Sequence, residues 1–148
     1  MRIELHRRNG AVHFEALNGE GNSVAIDGSP AIGGEGLGFR PMQLALTALA
    51  SCASMDVVSI LAKQRQPLED LRVTATGDRP PGEPSPFSTV NLHFDLHGDL
   101  GEDAVRKALD LAVHKYCSVG AMLRGNVEIT WTMTIHRTGS QPHRQNGG

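Results

Sequence analysis

The stretch from Pro41 to about Gln66 constrains the fold more than any other part of this chain. Proline suits the first helical position because its missing N–H has no partner there in any case. Pro67 stops what Pro41 starts. Between them, Leu44, Ala45, Leu46, Ala48, Leu49, Ala53, Val57, Val58, Ile60 and Leu61 cover every face of a helix. An ordinary surface helix carries one apolar stripe, so a helix apolar nearly all round must be covered on more than one side. One small sheet cannot do this, and a partner subunit is expected. Met42–Ala62 is also long enough to span a bilayer. Asp56 near its centre would cost roughly 2.5–3.5 kcal/mol on insertion. The stretch is rich in Ala, Ser, Thr and Gln, so we read a core helix of a soluble protein.

The rest of the chain alternates as strands do. Ile3 and Leu5, then Val12 and Phe14, then Val24 and Ile26 predict a three-strand meander. Asn9–Gly10 and residues 18–22 carry turn signals. Residues 28–38 are rich in glycine and read as a loop. Leu71, Val73 and Ala75 predict a fourth strand, and Val90, Leu92, Phe94 and Leu96 a half-buried fifth. Val105, Leu109, Ala112 and Tyr116 mark an amphipathic helix, and a short helical turn follows through Leu123. Val127, Ile129, Trp131, Met133 and Ile135 give the last strand. The order βββ–α–ββ–α–β points to an α+β fold with a largely antiparallel sheet. Residues 1–136 read as one domain, and the polar, glycine-rich segment 137–148 as a disordered tail.

The formal net charge of −2 leaves no basic surface for nucleic acid or an anionic membrane. The N-terminal MRIELHRRNG has no apolar signal core. Two cysteines in 148 residues are no disulfide framework. A cytoplasmic protein with reduced thiols is expected.

Those two cysteines are the candidate chemistry. Cys117 stands at the start of a helical turn, where free N–H groups and the helix dipole stabilise a thiolate, and His114 and Lys115 are near. The alternative is a buried structural cysteine behind Tyr116. Cys52 lies eleven residues beyond Pro41, roughly 16 Å into its helix and out of reach of the dipole. Asp56, one turn on, would raise its pKa if ionised nearby. A reactive Cys52 therefore needs a charge from a distant residue, with Arg2, Arg7, Arg8 and Arg40 available. Otherwise Cys52 is a small apolar core residue. His93, Asp95 and His97 share one strand face and are a candidate metal trio, but we favour a solvated face. The glycines at 33–38 lack the Lys–Ser/Thr of a P-loop and the spacing of a dinucleotide site.

A glycine-rich loop, Pro41, Cys52 within a long helix, and Cys117 before the last strand together resemble the OsmC/Ohr family of osmotically inducible and organic-hydroperoxide-resistance proteins. The likeness covers roughly residues 1–136. DVVSILAKQRQ at 56–66 and KYCSVGAML at 115–123 look most like a less-studied bacterial OsmC-like branch. The resemblance implies an intertwined homodimer with central long helices and antiparallel sheets, and cysteines at the subunit interface. It implies reduction of a small hydroperoxide without metal or organic cofactor, with recycling by an external thiol or dithiol. By position, Cys52 would attack the peroxide and Cys117 would resolve. The family's thiolate-stabilising arginine is held by a glutamate directly after the helix-opening proline. Here Met42 and Gln43 follow Pro41 instead. Arg40 is the nearest arginine to this motif, with Arg7 and Arg8 as alternatives. The competing reading is a non-catalytic protein of the same fold that binds a small apolar ligand at the dimer interface.

Overall fold

The computed structural model describes residues 1–137, which fold as two compact units, Met1–Thr47 and the part from Ala48 onward. Apart from Arg137, the predicted tail lies outside the described residues. The division between the units falls inside the long helix.

The first unit is the expected meander. Strands β1 (Ile3–Arg7), β2 (Phe14–Asn18) and β3 (Ser23–Ile26) pair antiparallel in that order. Asn9–Gly10 does not form a two-residue turn. The Asn9 side chain accepts the N–H groups of Ala11 and His13, at 3.0 and 3.2 Å, and organises a longer connection over residues 8–13.

The glycine-rich loop is ordered by Asp27, a residue the sequence reading passed over. Asp27 is 2% exposed. Its carboxylate accepts the N–H groups of Gly28, Glu35 and Leu37 at 2.8, 2.9 and 3.0 Å. The Leu37 and Glu35 bonds hold the carboxyl below its ordinary range. Phe39 then closes the loop by donating its N–H to Ala25 O and accepting from Asp27 N, both at 2.9 Å. A Cβ on Gly34 would collide with the Gly28 carbonyl. Gly34→Ala is therefore expected to destabilise the protein by about 1–3 kcal/mol, the usual range for overpacking, and a urea unfolding curve of that variant measures it.

Helix α1 (Pro41–Lys63) begins at the predicted residue and ends at Lys63, just short of Gln66. Gln43 Oε1 reaches back to accept the Arg40 N–H at 2.9 Å, one half of a capping box. The chain itself covers one stripe of α1: Leu49, Ala53, Val57 and Leu61, spaced one turn apart and 0–1% exposed. On other faces Met55 is 71% exposed and Val58 47%. By length and composition alone, α1 would also qualify to cross a membrane.

In the second unit, β4 (Leu68–Asp78), β5 (Thr89–Gly98) and β6 (Glu128–His136) form a sheet in that order. Its register aligns Val73, Phe94 and Met133, and likewise Leu71, Leu96 and Ile135, across one face. Val90, Leu92, Phe94 and Leu96 are 0–1% exposed, because β5 is central and flanked on both sides. The expectation of antiparallel sheets needs a correction: β4–β5 is antiparallel, but β5–β6 is parallel. Between them lie α2 (Glu102–Leu111), a π-helical turn (Ala112–Tyr116) and α3 (Ser118–Leu123). A crossover of that length returns the chain to the end where β5 began, and a parallel neighbour results.

Candidate active site

The two thiols arrive from different elements of the second unit. Cys52 is carried on α1 and is half-buried. Cys117 ends the π-helical turn and caps α3; it is fully buried. The π turn adds a residue to the helical path, a device that often re-aims a side chain at a functional site. Cys117 leaves helical geometry at φ −62°, ψ 111°, and its Sγ accepts the Gly120 N–H at 3.2 Å. The structure brings Cys117 beside Cys52, close enough for the two groups to interact by hydrogen bond and charge. Both are free thiols.

Cys117 does stand at a helix start, but its burial works against a thiolate there. Burial pushes its pKa up to about 11; the Gly120 N–H opposes this and the neighbouring Cys52 adds to it. Desolvation of the charged form outweighs the amide donors of Gly120 and Val119. An unfolded cysteine titrates near ~8.5. The contribution of this buried neutral thiol to stability is therefore complete below that value and is lost as pH rises towards about 11. A denaturation series between pH 8 and 11 should show stability falling, and the fall should be smaller in Cys117→Ala.

The candidate arginines are placed differently from one another. Arg2 pairs with Glu4 and Arg8 with Glu15. Arg7 donates to the carbonyls of Gly10 and Ala11. Arg40 precedes Pro41 and is exposed. Among the described residues its guanidinium has no partner, and Gln43 is engaged by its backbone instead.

The trio His93, Asp95 and His97 does not form a metal centre: among the described residues no group of three or more His, Cys, Asp or Glu is arranged to hold an ion. Asp95 accepts from His136 Nε2 at 2.9 Å, and this bond, with the nearby His93, holds its carboxyl low. His93 is hydrogen-bonded to Thr132 and Thr134, and His97 stacks on His136 at 4.4 Å. The alternation had placed these side chains on the polar face. It had not joined His136 to them, because that depends on β6 running parallel to β5.

A second feature the sequence did not reveal is a groove of about 580 Å³ beside α1, lined by Asp56, Ser59, Ile60, Lys63, Gln64, Leu111 and Tyr116.

The long helix with one half-buried thiol, met by a second, buried thiol at the end of a π turn, defines a two-cysteine α+β protein. The chain belongs to the OsmC-like protein family, whose model matches residues 34–132. Protein YhfA of Escherichia coli K12 is 44% identical over 96 residues, which cover 64% of this chain and 72% of YhfA. A hypothetical protein from Aquifex aeolicus VF5 superposes with a TM-score of 0.75 at 29% identity, covering 91% of this chain and 96% of its own. The organic hydroperoxide resistance protein OsmC of Legionella pneumophila superposes with a TM-score of 0.69 over 90% of this chain and 95% of that one. At 24% identity, that likeness is one of fold.

Proposed function

We propose that this protein is a thiol-dependent peroxidase that reduces organic hydroperoxides through Cys52 and Cys117. The observation that carries the reading is the pairing of a half-buried Cys52 with a buried Cys117 whose pKa is pushed up to about 11. The two thiols are thereby unequal. Cys52, the more accessible, attacks the O–O bond as thiolate; it becomes sulfenic acid, and the alkoxide leaves and takes a proton to become the alcohol. Cys117 stays protonated at neutral pH and does not compete as nucleophile. It then condenses with the sulfenic acid, releasing water and forming the disulfide. Two equivalents of external thiol restore both cysteines by exchange and leave as their own disulfide. Arg40, whose guanidinium has no partner among the described residues, is by its place in the sequence our candidate for the cation that stabilises the Cys52 thiolate. The name of the Legionella relative supports the choice of an organic hydroperoxide as substrate.

The same reading includes a cytoplasmic homodimer built on α1, supported by the exposed Met55 and Val58 on a helix whose chain covers only one stripe. Light scattering at micromolar concentration should give twice the 15.9 kDa chain mass. A folded species of single mass would sink the dimer. The functional test is consumption of cumene hydroperoxide with a dithiol as reductant. Peroxide left untouched, with neither thiol oxidised, would overturn the peroxidase in favour of ligand binding.

A further inference from the structure

Asp27 is the sole buried polar or charged residue among the described residues, and the peroxidase scheme gives it no task. A carboxylate out of water is costly unless it is well hydrogen-bonded, and three backbone N–H groups meet that need here. The turn at 29–34 closes on its own backbone, with Ile32, Gly33 and Gly34 donating to the carbonyls of Ser29 and Pro30. Residues 35–37 are instead tied back by Asp27, whose Oδ2 accepts the N–H groups of both Glu35 and Leu37. Gly38 then runs so close to β3 that a Cβ there would lie 2.4 Å from Ala25 O, and Phe39 bridges Ile26. The next residue is Arg40. Its N–H donates to Gln43 Oε1 at 2.9 Å and its carbonyl accepts the Leu44 N–H at 3.0 Å. All of these residues belong to the first unit. The backbone of Arg40 is thus fixed on both sides, while its guanidinium has no partner among the described residues. It also stands at the start of α1, whose first turn carries no acidic residue, and the helix dipole disfavours a cation there. A charge set against local preference, on a backbone held this firmly, serves something other than stability.

We propose that Asp27 is a positioning residue for the peroxidase reaction: its carboxylate clasps the glycine-rich loop so that the chain enters α1 with Arg40 at one fixed place. The guanidinium is thereby presented for the Cys52 thiolate instead of sampling the surface. Fixing the backbone in advance leaves only the arginine side chain to be ordered when the thiolate forms. The gain is large, because a misplacement of about 1 Å can cost about 100-fold in rate. A carboxylate suits the task, since both of its oxygens accept. The amide of an asparagine would turn a donor towards N–H groups that are themselves donors. The inference rests on the reading of Arg40 as the cation that serves Cys52, and not on the identity of the peroxide.

The readout is the rate at which iodoacetamide alkylates Cys52 at pH 7, resolved from Cys117 by mass spectrometry; it follows the thiolate and needs no peroxide. Arg40→Gln should lower this rate about tenfold, the effect of losing one charge-assisted contact. Asp27→Asn should lower it by at least about threefold, and kcat/KM for cumene hydroperoxide by the same factor. In the Arg40→Gln background, Asp27→Asn should change nothing further, because it acts only through the guanidinium. A merely structural Asp27 would slow both backgrounds alike, or neither. Should Asp27→Asn fail to fold, Gly36→Val takes its place. Gly36 lies between the two donors at φ 73°, with open space where a Cβ would stand. A β-branched residue rarely adopts that conformation, so the variant loosens the clasp while keeping the carboxylate. It should show the same dependence on Arg40. Alkylation at the wild-type rate in whichever of the two variants is folded, beside a slowed Arg40→Gln, would overturn the positioning role and leave Arg40 standing. So would a slowing that persists undiminished in the Arg40→Gln background. An unchanged rate in Arg40→Gln itself would sink the Arg40 assignment, and the role of Asp27 with it.

Discussion

Cys52→Ser protein is expected to consume no cumene hydroperoxide above the uncatalysed rate, whereas Cys117→Ser should consume one equivalent and stop. The asymmetry follows from the order of steps. Attack on the O–O bond needs Cys52 from the first turnover. Cys117 is needed only to turn the sulfenic acid into a disulfide that a thiol can recycle. In Cys117→Ser the sulfenic acid should therefore accumulate on Cys52, where dimedone labelling and mass spectrometry detect it. The burial pattern agrees with this division, since Cys117 is fully buried and its pKa raised, while Cys52 is half-buried. Equal loss in both variants, without a trapped sulfenic acid, would remove the distinction between attacker and resolver.

The largest effect on stability is expected at Phe94. It is 0% exposed and centred on the middle strand, with Val73 and Met133 in register on either side. Phe94→Ala should cost about 3–5 kcal/mol, from lost transfer energy and the cavity left behind. Domains of this kind hold about 5–15 kcal/mol in total, so the variant should sit near the edge of folding. Thr76→Ala, on the exposed face of β4, should change stability by no more than about 0.5 kcal/mol. Urea unfolding of the two variants provides the comparison. A Phe94→Ala cost below that of a surface change would mean that the sheet is not the centre of the core.

Much of this architecture could be read from local pattern. Pro41 and Pro67 bracket α1, and the alternation in Val90–Leu96 marks a strand half in and half out of the core. Both signals depend only on residue periodicity and backbone sterics. The parallel pairing of β6 was not legible, because an alternating strand looks the same in either direction. With it went the His136 bond to Asp95 and the stacking of His136 on His97. Asp27 was missed for a related reason: its three N–H donors lie up to ten residues downstream, and no short motif announces them.

The division is sharpest at the cysteines. Residue spacing alone places Cys52 mid-helix beyond the reach of the dipole and Cys117 at the opening of a helical turn. Each follows from counting residues along one segment. That the two thiols meet, and that burial pushes the Cys117 pKa up, follows from how distant segments pack. A thiol's charge state depends on how much water surrounds it. That is fixed by whichever segments pack around the sulfur, here α1 and the π-helical turn, which lie some sixty residues apart in the chain.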